Sequence, residues 1–120
     1  MARKRFIVEL GTGIDLHGEN VTEAARRAVK DAISKSCLCG LLEILDLKDL
    51  EGVGVDILVA CPKPEEVDLE QVMAQAPIGR KTAVAVAGGM VTQGICVPKF
   101  GPKCDRIMVA NASVTVYVQD

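Results

Sequence analysis

The chain reads as an α+β protein: a two-layer β-α-β-α-β-β domain with a mixed four-stranded sheet, two helices on one face, and the other face packed in an oligomer. Three observations predict this. Segments with strand-like alternation interleave with helical ones. The chain is 49% hydrophobic but only 2% aromatic, so its core is built from Val, Ile, Leu, Ala and Met, which suits thin layers. Its 120 residues make one domain, 1–120, with no room for a second core.

Each element follows in order. RFIVEL, Arg5–Leu10, reads as a short strand with Phe6, Val8 and Leu10 on one face, ended by Gly11 and Gly13. Asn20 offers an N-cap, with Glu23 at capping-box spacing. The helix after it, Val21–Cys37, carries Val21, Ala25, Ala28, Val29, Ala32 and Ser36 on one stripe, and Gly40 is its expected stop. Leu41–Gly52 is either a short second helix or an edge segment. Val53, Val55, Ile57, Val59 and Cys61 alternate as a strand that Pro62 and Pro64 stop. Residues 64–76 read as the second helix, acidic in its first turn. KTAVAVAGG reads as a strand buried on both faces, and residues 88–106 as a long loop. The last strand, Ile107–Asp120, sets Val114, Val116 and Val118 against Thr115 and Tyr117.

A right-handed β-α-β crossover makes neighbouring strands parallel and puts both helices on one face. The opposite face then presents Val, Ile and Thr without cover, which implies a homo-oligomer. A formal charge of −2 and three aromatic residues argue against nucleic acid as a partner. No apolar run suits a signal peptide or a membrane span, so the expectation is a cytoplasmic protein with no membrane partner. Five cysteines cannot all pair within the chain and are expected to be reduced.

The chemistry-bearing stretch is GTGIDLHG, Gly11–Gly18, which holds the chain's single histidine, His17. Gly11, Gly13 and Gly18 would let a backbone approach a ligand, with helix amides beyond them to attract an anion. Asp15 and His17, two apart, would share a side in extended chain, so Asp15 could orient His17 as an acid or base. Alternatively, Asp15 satisfies amides of a turn and His17 only hydrogen-bonds at the helix entry. Arg80 and Lys81 at a strand entrance are a candidate anion clamp, or solvated flanking charges. Gly88 and Gly89, with Thr92 and Gln93 after them, allow positive φ or close ligand approach, or form a bulge. Cys96 or Cys104, near Lys99, Lys103 and Arg106, could be an activated nucleophile or a small packing residue. Glu9, Asp15 and Asp56 with His17 could hold a divalent metal, although nothing requires a cofactor.

GTGIDLHG resembles Gly-x-Gly-x-Asp-x-His-Gly, the signature of a family of uncharacterised short proteins of bacteria and plants. The resemblance covers the whole chain and implies a site at Gly11, Gly13, Asp15, His17 and Gly18, without naming a substrate. The element order is also similar to chorismate-mutase-like trimers, to the small trimers of the reactive-imine-hydrolysing family, and to single repeats of cyclic amide hydrolases. That likeness implies a trimer with sites in clefts between subunits. The hydrolases carry a serine before Gly-Gly. Ala87 stands there in AVAGGMVTQG, which puts a serine–lysine mechanism in doubt. The implied function is acid/base chemistry, hydrolase- or tautomerase-like, on a small anionic or cyclic amide ligand. The alternatives are a non-catalytic metabolite-binding module and a structural oligomer.

Overall fold

The computed structural model describes residues 3–97, 99 and 105–119. Five strands form one mixed sheet: β1 (Arg3–Asp15), β2 (Gly54–Cys61), β3 (Arg80–Ala87), β4 (Met90–Gln93) and β5 (Arg106–Gln119). Three helices accompany them: α1 (Val21–Ile33), α2 (Gly40–Glu43) and α3 (Leu69–Met73). The strand order is β1-β5-β2-β3, with β4 also on β5. β5 is antiparallel to β1, β2 and β4, while β2 and β3 are parallel. The β2-α3-β3 unit is the expected crossover. The expectation that β1 and β2 would be neighbours is corrected: β5 inserts between them, and its 14 residues are long enough to hold both.

β1 departs most from its expected form. It does not end at Gly11 but runs through both glycines to Asp15. Its buried face is Glu9, Gly11, Gly13 and Asp15, while Val8 and Leu10 lie on the opposite, uncovered face at 47% and 65% exposure. The apolar set therefore does not mark the core side here. Helix α1 lies so close over β1 that only glycine fits beneath it. A Cβ on Gly11 would run into the backbone of Ala28 and Ala32, and one on Gly13 into that of Ala24 and Ala28.

Helix α1 buries Val21, Ala24, Ala25, Ala28, Val29 and Ala32, close to the expected stripe, and the Asn20 side chain accepts from the Glu23 amide as a cap. It ends at Ile33 rather than Cys37, and Gly40 opens α2 instead of stopping α1. The second expected helix is broken. A 3-10 turn at Pro64–Glu66 precedes α3, because Val67 is extended and Asp68 caps anew, its carboxylate accepting from the Glu70 and Gln71 amides. Part of the expected loop 88–106 is β4. β3 is an edge strand with Val84 and Val86 exposed, not a strand buried on both faces.

The core lies between the helices and the inward residues of β2 and β5, chiefly Val55, Ile57, Val59, Val114 and Val116. The other face has no helix among the described residues. It exposes Val8, Leu10, Ile14, Leu58, Val84, Val86 and Met90 around a centre of Asn111, Ser113 and Thr115. No helix of the described residues is long and apolar enough to cross a membrane.

Candidate functional site

The stretch GTGIDLHG is half strand and half bend. Asp15 closes β1, and residues 16–18 bend before α1 begins. Strand parity therefore stops at Asp15 and does not extend to His17. The Asp15 carboxylate is 8% exposed and is engaged by the backbone. Its Oδ2 accepts from the Gly18 amide at 3.1 Å and the Asn20 amide at 2.9 Å. Its Oδ1 lies 3.7 Å from the Arg27 guanidinium. Asp15 thus ties the end of β1 to the start of α1. His17 is half-buried in that bend, and Glu19, held at φ 49, reaches Arg106 of β5 at 3.8 Å.

The outer edge of β1 is answered by α1 and the turn that follows it. Arg27 donates to the Ile14 carbonyl at 2.6 Å, Asp31 accepts from the Thr12 amide at 2.9 Å, and Lys35 donates to the Leu10 carbonyl at 3.1 Å. The spacing fits because four residues of helix rise about 6 Å and two of strand about 6.6 Å. The Thr12 amide, then the Lys35 ammonium, hold the Asp31 carboxyl below its usual range. Lone charges at positions 27, 31 and 35 of a helix read as a solvated face in sequence. Their spacing of four, matched to alternate residues of β1, is the signal that was missed.

Gly88 and Gly89 carry the chain from β3 around the end of β2 to β4, which continues β2's place along the same edge of β5. Gly89 has φ 64, and a Cβ on it would strike the Val109 carbonyl. On Gly88 a Cβ would come within 2.8 Å of the Ala60 Cβ. This turn sits at the same end of the sheet as Asp15, since Asp15 pairs with Met108 and Met90 with Val109.

Arg80 and Lys81 lie at the other end. Gly54 pairs with both Arg80 and Tyr117, so they stand nine β5 positions from Asp15, about 30 Å. Being consecutive in a strand, they leave opposite faces of the sheet. Arg80 lines a polar cleft of about 230 Å³ on the uncovered face with Arg3, Asp56, Thr82 and Tyr117. There Asp56 accepts from Thr82 at 2.9 Å and from Arg3 at 3.3 Å, and Arg3 stacks 3.7 Å over the Tyr117 ring. Lys81 belongs to the helix side. One chain does not bring the two halves of the expected site together.

The residues suggested for a metal are likewise apart. Glu9 and Asp15 sit six residues apart on one strand face, about 20 Å, and Asp56 is on the other face. Among the described residues no group of three His, Cys, Asp or Glu can hold a metal ion.

The cysteines need one correction. Cys96 is disulfide-bonded, so it is neither reduced nor a nucleophile. An odd count forbids complete pairing but not a single bridge. Lys103 and Cys104 lie outside the described residues. Cys37 and Cys39 are free and exposed, and Cys61 is free and buried. Burial, then the charge of Glu65, push the Cys61 thiol up from its ordinary value. Under native conditions Cys37 and Cys39 are expected to alkylate on the order of 100-fold faster than Cys61. Mass spectrometry after timed iodoacetamide quenching checks this. The sign follows from the neutral thiol being favoured in the fold. The stability this contributes is present below the ordinary thiol pKa and is lost as pH rises through the raised one.

An α+β sheet with helices on one face defines a class by architecture and not by reaction. The chain belongs to the Lin0512_fam family of conserved hypothetical proteins, whose model matches residues 5–116. It is similar along its length to a crystal structure of an FtsZ-like protein of unknown function from Nostoc punctiforme. The two are 43% identical with a TM-score of 0.90, covering 100% of this chain and 99% of that one. No curated protein matches.

Proposed function

We propose that the protein works as a homo-oligomer, three-fold in the favoured arrangement, that binds a small anionic or cyclic amide ligand between subunits. The His17 end of one copy and the Arg80 cleft of the next would form the two sides of the site. One observation carries this reading. The two candidate half-sites lie at opposite ends of a sheet whose apolar outer face is uncovered, so a second copy is what could unite them. In this reading His17 serves as acid or base, and Arg80 and Arg3 attract the negative group.

A second reading keeps the assembly but removes the chemistry. The Asp15 carboxylate is spent on the Gly18 and Asn20 amides and on Arg27, which favours a binding module over an Asp–His pair. Sedimentation velocity decides the assembly: wild type is expected to be oligomeric, and Val84→Glu on the uncovered face monomeric. A thermal-shift screen of small anions and cyclic amides decides the site. A ligand at about 100 times its Kd adds about 2.7 kcal/mol. Loss of the hit in both His17→Ala and Arg80→Ala supports the interface site. Turnover of the hit by wild type and not by His17→Ala selects the enzyme, and binding without turnover selects the module. A monomeric wild type overturns the proposal.

A further inference from the structure

The helix side of the sheet holds a cavity that none of the foregoing uses. About 220 Å³ in volume, it lies where α1 ends and the α3–β3 link passes over the sheet. Ile33, Ala76, Ile78, Val114 and Val116 give it apolar walls, and Glu9 of β1 supplies a carboxylate. Glu9 is only 7% exposed. Its Oε2 accepts a short hydrogen bond from the Ser36 hydroxyl, and among the described residues no cation is paired with it. The basic side chain next to Ser36, Lys35 in the turn after α1, is committed to the Leu10 carbonyl and to Asp31.

A buried carboxyl group whose one donor is a hydroxyl leaves most of its hydrogen-bonding capacity unused, which disfavours it at that position unless a further donor fills the space. Packing alone would place an aliphatic side chain at position 9, as it does at Val114 and Val116. Gly11 and Gly13, the next residues on this face of β1, lie flush under α1, so the space opens only at Glu9. The geometry therefore points to a cationic guest with an apolar body. We propose that this cavity binds a small primary amine, its ammonium on the Glu9 carboxylate and its alkyl or aryl group among Ile33, Ile78 and Val114. The size agrees, since a dry cavity of about 150 Å³ already holds benzene. The pocket is on the opposite side of the sheet from the Arg80 cleft and is complete within one chain, so it is independent of the oligomer proposed above.

Amide chemical shifts of the labelled protein, titrated with benzylamine, benzyl alcohol and benzoate, test this. Benzylamine is expected to move the amides of Glu9, Ile33 and Val114, and benzoate to leave them unmoved. Glu9→Gln is expected to weaken benzylamine at least tenfold while leaving benzyl alcohol unchanged. Ala76→Leu, which fills the cavity, is expected to abolish both. If Glu9→Gln does not fold, Ser36→Ala replaces it. Removing the competing hydroxyl should keep or tighten benzylamine, and a tenfold weakening there would overturn the proposal. So would benzoate binding as well as benzylamine, benzylamine binding unchanged by Glu9→Gln, or no shifts at these amides.

Discussion

Gly13→Val is expected to cost about 3 kcal/mol or more, and to lower the melting temperature by roughly 10 °C. The added Cβ has nowhere to go. On one side is the backbone of Ala24 and Ala28, and on the other the strand itself, hydrogen-bonded to β5 through the pairing of Gly13 with Ala110. Neither neighbour is a flexible side chain, so α1 must lift from the sheet. Lifting it exposes Val21, Ala25, Ala28 and Val29, which are at most 4% exposed now. Against a total stability of about 5–15 kcal/mol, that is a large share. Gly11→Val should behave alike, because Ala28 and Ala32 stand over it in the same way. Thermal and urea denaturation followed by circular dichroism measure both. Unchanged stability with lost ligand binding would instead make these glycines part of a ligand cradle.

Asp15→Ala carries the second large effect, a loss of roughly 2–3 kcal/mol. The carboxylate accepts two amides, from Gly18 and Asn20, and lies near Arg27. Hydrogen bonds to a charged group are worth roughly 1.5–3 kcal/mol, and removal of the acceptor leaves the amides of a half-buried bend without it. Asp15→Asn should recover part of the loss, since its carbonyl oxygen can still accept from one amide. Urea denaturation of the three proteins gives the ranking wild type, Asn, Ala. Equal stability of all three would free Asp15 from this structural duty and return it to the role of orienting His17.

These two residues also show where reading the sequence succeeds and where it stops. Helix α1 was legible because its alternatives are few. Asn20 can cap, Ala and Val recur on one face, and a stripe of small residues must press against something flat. The alternation in β2 and β5 was legible for the same reason. GTGID was not, because glycine carries two opposite meanings. It ends a strand when the backbone must turn, and it extends one when a helix backbone lies against it. Only the partner decides, and the partner is 11 to 21 residues further on, Ala28 and Ala32 over Gly11 and Ala24 and Ala28 over Gly13. The face of β1 was inverted by the same contact. Val8 and Leu10 look like core residues until Gly11 and Gly13 are seen to set the helix side. The break between Pro64–Glu66 and Leu69–Met73 rests on Asp68, whose capping use competes with its ordinary place in a first helical turn. In the candidate site, the residue types were legible and their separation was not. Asp15 ends β1 and Arg80 starts β3, and these are opposite ends because β1, β2 and β3 run the same way. The shared direction of β1 and β2 rests on their pairing with β5, a long-range contact that no local pattern encodes.

The rungs from Arg27, Asp31 and Lys35 to the rim of β1 set a limit on how copies of this chain can join. A sheet that grows from molecule to molecule needs two open rims on every copy, one to accept and one to offer. Here β1 already has its outer carbonyls and amide answered at Ile14, Thr12 and Leu10, and β3 has no equivalent cover among the described residues. Among the described residues the Leu10–Ile14 stretch of β1 is therefore closed to a new strand. A sheet that lengthens strand by strand through that stretch has no route from the folded state, and a larger closed assembly is favoured on faces instead.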